Sequence, residues 1–315
     1  MPTFTPSTRA PRLPAVVALV TAALVAAGCA TGLPPSGEGT VAHSPRVVRV
    51  VAAENFWGSV VTQLGGAHAD VVSIIDNPDT DPHAYEPTAA DARRLADAQI
   101  AVENGAGYDP WMSELLAADG GRRDVLDVGD LVGVAPGGNP HLWYDPSYVD
   151  RFIGAATADL IRADPVDRAY FTARETSYEE VGLAAYHAAI DRIRARFQGT
   201  RVGASESIVV YLCRALGLDL VTPPTFLRAI SEGSDVSAAD TATIERQIQG
   251  REIAVYLENT QNLTPDVEAQ VSAARAAHIP LVHVTETLVP VTATFQAWQT
   301  AQLDSLDTAL EHARD

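Results

Sequence analysis

Three short stretches decide the fold class: VVRVVAA at residues 47–53, NFWGSVVTQL at 55–64 and DVVSII at 70–75. The first and third are β-branched runs of strand length, while the second carries its apolar residues at helical spacing. Strand, helix, strand in this order is the unit of a parallel sheet, because parallel neighbours need a crossover between them. Moving outward, residues 89–98 read as a helix entered at Pro87-Thr88, and residues 100–103 as a strand closed by Asn104-Gly105. Residues 147–163 form another amphipathic helix. After Gly199 the alternation restarts, with strands at 201–204, 253–258 and 281–284 and helices at 208–216 and 265–277.

Between these halves, residues 164–197 hold no Gly or Pro after Pro165 except Gly182, and Tyr170, Tyr178 and Tyr186 recur every eight positions. Eight is close to a helical repeat, so one helix of about 30 residues would carry all three on one face and could join two lobes. A chain of 315 residues also exceeds the size at which one core stops growing. The expected architecture is α/β, as two lobes with parallel sheets joined by a long helix. Its parts are an N-terminal lobe over 47–163, the linking helix over 164–198 and a C-terminal lobe over 199–315.

The start of the chain reads differently. Arg9 and Arg12 precede an apolar run at 13–27, the layout of a secretory signal and too short to span a bilayer. The run ends Ala26-Ala27-Gly28-Cys29, which resembles a bacterial lipobox, and this resemblance implies a lipid on the Cys29 thiol. The plainer alternative is an ordinary cleaved signal beside a chance cysteine. Residues 30–45, rich in Gly, Pro, Ser and Thr, read as a tether. The only other cysteine, Cys213, lies in an apolar stretch as a small hydrophobe, so the lobes have no partner for a disulfide. Forty acidic against 22 basic side chains give a net charge of -18, which repels phosphate backbones and argues against a nucleic-acid partner.

Chemistry concentrates in two stretches. DPHAYEPT at 81–88, followed by VENGAGYDPW at 102–111, puts His83 on a proline-braced loop at the carboxyl end of a strand, where α/β proteins bind ligands. NPHLWYDP at 139–146 fixes His141 in the same way just before a helix. A lone histidine is more often structural than a ligand, but two braced alike are stronger evidence of a metal site.

These patterns, DPHxYEPT with VxNGxGxDxW and then NPHxWxDP, resemble the signatures of the substrate-binding proteins of bacterial ABC importers for zinc and manganese. The resemblance covers nearly the whole chain after the tether. It implies two α/β lobes with a metal in the interlobe cleft, a stiff helix spanning both, and His83 and His141 as the first two ligands. The third family ligand precedes an apolar helix that carries a tyrosine and ends in Gly-Leu. Here that position holds Glu206, where zinc-type members commonly have histidine and manganese-type members glutamate. The competing role for Glu206 is capping free amides at a helix start. The fourth ligand, an acidic residue after the last strand, maps to Glu286, where aspartate is usual. Glu258 and Asn259 are candidates to hold a ligand in place. His283 alternates with apolar positions and has no sequence reason to face the cleft. Residues 223–235 are expected to be a loop lining it.

No phosphate-binding glycine loop, Gly-x-Ser-x-Gly elbow or His-Glu-x-x-His helix occurs, so no enzyme class gains support. The resemblance therefore implies a monomeric extracytoplasmic lipoprotein, anchored to the membrane, that captures a divalent metal and delivers it to an ABC permease and ATPase. A surface adhesin or a metal-dependent hydrolase on the same fold is the alternative. The ligand set leaves Zn2+ and Mn2+ both open, with a lean to zinc because Glu286 replaces the aspartate usual in manganese-type members.

Overall fold

The structure, a computed structural model, describes residues 47–314; Cys29 and the stretches read as signal and tether lie outside them. The N-terminal lobe runs β1 Val48–Glu54, α1 Asn55–Gly65, β2 Ala69–Ile75, α2 Ala89–Asp97, β3 Ile100–Glu103, α3 Pro110–Asp119, β4 Asp124–Asp127, α4 Val128–Val132 and α5 Pro146–Ala163. Helices α6 Arg168–Ser177 and α7 Ala184–Phe197 follow. The C-terminal lobe runs β5 Arg201–Ala204, α8 Val210–Leu216, β6 Asp219–Leu220, α9 Pro224–Ser231, α10 Ala238–Gln249, β7 Val255–Asn259, α11 Pro265–Ala276, β8 Leu281–Val284 and α12 Phe295–His312. Both sheets are parallel and four-stranded, in the orders β2-β1-β3-β4 and β6-β5-β7-β8.

β1 shows why the opening stretch is so informative. Its residues alternate between two cores: Val48, Val50 and Ala52 pack with Phe56, Trp57 and Val60 of α1, while Val51 and Ala53 pack with Leu95, Trp111 and Met112. A strand covered by helices on both faces must be apolar almost throughout, and that is the pattern of its sequence. Phe56 and Trp57 are fully buried, so truncating either to alanine would cost roughly 3–5 kcal/mol.

α1 ends where Gly66 takes φ 51°, a conformation that disfavours side chains, and a Cβ there would collide with the Tyr170 hydroxyl. That hydroxyl accepts the Ala67 amide hydrogen at 3.0 Å, and the Tyr170 ring stacks on His68 with centroids 3.8 Å apart. The first lobe is thereby fastened to α6.

Residues 165–197 are helical apart from Leu183, but not as one uniform α-helix. A 3-10 turn at Pro165–Asp167 leads into α6, a π-turn at Tyr178–Gly182 widens the coil, and α7 follows. Tyr178 and Tyr186 are buried, and Arg192 of α7 pairs with Asp304 at 2.6 Å and Asp307 at 2.8 Å on α12.

The stretch at 223–235, expected as a loop, is helical through Ser231. Pro224 occupies the first turn, where its missing N–H costs nothing, and Phe226, Leu227 and Ile230 bury one face. It does line the cleft. Cys213 is a buried hydrophobe, as its setting indicated. Among the described residues no helix is long and apolar enough to cross a membrane.

Candidate metal site

In each sheet the carboxyl ends of the strands carry the polar residues, and the two sets of ends converge on one buried cluster. Ligand atoms of His141, Glu206 and Glu286 all lie within 4.8 Å of one another. The three are 1%, 1% and 7% exposed. Two carboxylates and an imidazole so deep and so close need a cation or protons between them, because bare charges of one sign repel strongly in a low dielectric.

His141 is presented ready to bind. Its Nδ1 lies 2.7 Å from Asn139 Oδ1, which can only accept, so the ring proton resides on Nδ1 and the lone pair on Nε2. Nε2 is buried with no hydrogen-bond partner. Burial, reinforced by the charge of His83, pushes the His141 pKa down to about 3, so the imidazole stays neutral, the form that binds metals. The backbone before it is held as well, since Asn104 Nδ2 donates to the Pro140 carbonyl at 2.8 Å. Asn104 belongs to a tight loop in which both oxygens of Asp109 accept amides, from Asn104 at 2.7 Å and Gly105 at 2.8 Å. Gly105 adopts φ 67°, and a Cβ on it would strike the Asp127 carboxylate. The VxNGxGxD pattern is thus the chemistry of this loop.

The carboxylates come from the other lobe. Glu206 starts the turn before α8 but makes no capping bond. Instead Ser231 Oγ donates to its Oε2 at 2.6 Å, and Asn259 Nδ2 donates to its Oε1. The same Asn259 amide donates to Glu286 Oε1 at 2.8 Å. Gln261 fixes the Glu286 backbone by accepting its amide at 2.6 Å. Burial, with the Glu286 charge beside it, pushes the Glu206 pKa up to about 7, against the pull of hydrogen bonds from Ser231, Asn259 and Asn262. From the first lobe, Tyr108 donates to Glu286 Oε2 at 2.8 Å. Burial and the neighbouring carboxylates raise the phenol's pKa well above its ordinary value, so it remains a donor.

His83 stands apart from the three. It is exposed on the 3-10 turn Pro82–Ala84, braced by Asp81 accepting its amide at 2.9 Å and by Trp111 Nε1 donating to Pro82 O at 3.0 Å. Its ring meets the edge of Tyr108 at 4.6 Å and lines two interlobe cavities of about 550 and 560 Å3. Of the four residues singled out in the sequence, the structure clusters three and sets the fourth at the rim.

Strand alternation separates the other candidates. Asn259 turns into the cluster, while its neighbour Glu258 faces the opposite side and pairs with the exposed His283 at 3.2 Å. Nothing in the sequence marks Tyr108 or Ser231: Tyr108 occupies a variable position of VxNGxGxDxW, and Ser231 lies in the 223–235 stretch expected as a loop.

The family model described as zinc-uptake complex component A, periplasmic, matches residues 50–309. Manganese-binding lipoprotein MntA of Halalkalibacterium halodurans is 28% identical over 164 residues, 50% of this chain and 51% of that protein. Zinc-binding protein TroA of Treponema pallidum is 24% identical over 200 residues, 58% of this chain and 61% of that one. The chain thus spans only about half to three-fifths of the length of these curated relatives. The solved structure of the periplasmic zinc-binding protein TroA superposes with a TM-score of 0.71 at 21% identity, covering 84% of this chain and 99% of that one. That likeness shows the shared fold of two parallel α/β lobes. With the match running across both lobes and the link between them, the chain belongs to the zinc-uptake complex component A family.

Proposed function

We propose that this protein captures one divalent transition-metal ion, zinc or manganese, between its lobes and delivers it to the permease and ATPase of an ABC importer. The observation that carries this reading is His141, neutral and with a bare Nε2, whose ligand atom lies within 4.8 Å of those of two buried carboxylates. His83 completes the set, its ring already beside Tyr108. Four protein ligands from two lobes close the coordination sphere, as a carrier requires, whereas a catalytic zinc keeps one position open for water. This disfavours the hydrolase alternative. The names of MntA and TroA, a manganese-binding and a zinc-binding protein, support the same cargo.

The division into lobes over 47–163 and 199–315 about a link at 164–198 is part of this proposal. So is an extracytoplasmic, monomeric lipoprotein anchored through Cys29; Cys29→Ala should release the protein from membranes, and equal retention of both forms would refute the anchor. The central test is calorimetric titration of Zn2+ and Mn2+. His83→Ala and His141→Ala should each weaken binding by at least tenfold while the circular-dichroism spectrum is preserved. Unchanged affinity in His141→Ala would remove the site.

A further inference from the structure

Both clustered carboxylates are hydrogen-bonded at both of their oxygens. Asn259 takes the Oε1 atom of each, leaving Oε2 of Glu206 to Ser231 at 2.6 Å and Oε2 of Glu286 to Tyr108 at 2.8 Å. These donors have little freedom to turn away. Ser231 Oγ accepts the Ser207 amide at 3.2 Å and lies 2.7 Å from Ser207 Oγ; because the ionised Glu206 carboxylate can only accept, the Ser231 proton goes to it and Ser207 Oγ is the donor in the second contact. Tyr108 is fully buried, its ring edge-on to Trp143 at 5.0 Å and tilted against Phe56 at 6.2 Å.

A carboxylate grips an ion through both oxygens only if its plane and both in-plane lone pairs can face that ion. A donor fixed on one oxygen sets the plane and draws on those lone pairs. We propose that Tyr108 and Ser231 are specificity-determining residues, which restrict Glu286 and Glu206 to one metal-directed oxygen each and so select zinc over manganese. The inference rests on the ligand set His83, His141, Glu206 and Glu286 proposed above. With both carboxylates single-toothed, that set offers four donor atoms. Four nitrogen and oxygen donors satisfy zinc, which has no geometric demand from its d electrons and is commonly four-coordinate. Manganese belongs with the cations that favour six oxygen-rich ligands, and four donors leave it short. Tyr108 also comes from the opposite lobe to Glu286, so this restriction depends on the lobes standing together.

The test compares wild type, Tyr108→Phe, Ser231→Ala and the double variant, each as the full chain, by competition calorimetry with Zn2+ and with Mn2+. Each substitution removes one oxygen and keeps the remaining side chain. X-ray absorption of the zinc-loaded wild type counts its donors. The double variant should lower the zinc-to-manganese affinity ratio by about 10–100-fold, mainly by binding manganese better, and Ser231→Thr, which keeps a hydroxyl, should retain the wild-type ratio. The zinc-loaded wild type should show four nitrogen or oxygen neighbours. An unchanged ratio in the double variant, or five to six neighbours around zinc in the wild type, overturns the proposal. Failure of the underlying ligand set would look different: His141→Ala would then bind both ions as tightly as wild type.

Discussion

Asn104 and Pro140, 36 positions apart, are joined by a 2.8 Å hydrogen bond from the Asn104 amide to the Pro140 carbonyl, which ties the loop after β3 to the residue preceding His141. Asn104 is fully buried, and its Oδ1 accepts the Trp57 indole N–H at 3.0 Å. Asn104→Ala would leave the indole unpaired in the interior and the Pro140 carbonyl with the Leu142 amide alone. The expected cost is about 1–3 kcal/mol of stability for the indole left unpaired. Because the lost bond also steadies the His141 loop, metal affinity should fall by roughly tenfold or more. Thermal melts and titration on one preparation check both. Destabilisation with unaltered affinity would show that Asn104 serves only the core.

The raised pKa of Glu206 makes metal capture release a proton. With that pKa at about 7 and the ion requiring the carboxylate form, affinity should drop by up to about tenfold per pH unit below neutrality. His141, at about 3, stays neutral throughout this range and contributes no proton. Calorimetry in buffers of differing ionisation enthalpy should record a released proton at pH 6 and almost none at pH 8.5. The Glu206→Gln variant should release fewer protons than wild type at pH 6. If its proton release matches that of wild type, the proton belongs elsewhere.

Glu54, fully buried at the end of β1, has neither oxygen hydrogen-bonded as a carboxylate, and it sits against Asp109. Burial and that neighbour raise its pKa well above the usual range, and Asp109 is pushed up to about 7, chiefly by burial. A carboxyl whose folded pKa exceeds its unfolded one supplies stability at low pH and loses it as pH rises through the folded value. A single glutamine at 54 keeps the size, needs no proton and can donate to Asp109. The stability of Glu54→Gln relative to wild type should therefore increase between pH 5 and pH 9, by at most about 1.4 kcal/mol per pH unit. Parallel pH profiles for the two proteins would contradict a proton held at Glu54.

Much of the fold was legible because parallel strands are buried on both faces: β1, β3 and β7 announce themselves as largely apolar runs. β4, reading DVLD, did not, since it is a short edge strand with Val125 47% exposed. β6 has only two residues and no periodicity to detect. α9 was hidden by the paired prolines at its start, which read as a turn until the apolar spacing of Phe226, Leu227 and Ile230 is weighed. Within the site, His83 and His141 stood out because prolines brace them in sequence. The donors to the carboxylates did not, because Tyr108 and Glu286 are 178 positions apart and only the meeting of the lobes makes them partners.

The two sheets share one strand order, β5 to β8 standing where β1 to β4 do, yet they furnish opposite halves of the candidate site. The first lobe brings the imidazoles of His83 and His141, and the second brings the carboxylates of Glu206 and Glu286. The electrical polarity of the cleft is therefore divided by lobe. Were the lobes parted, a dication would meet the two clustered carboxylates on one wall and the imidazole nitrogens on the other. On the proposed ligand set, arrival and enclosure become separable events: the carboxylates would hold the ion at the C-terminal wall, and the nitrogen donors would complete its shell when the N-terminal wall meets it.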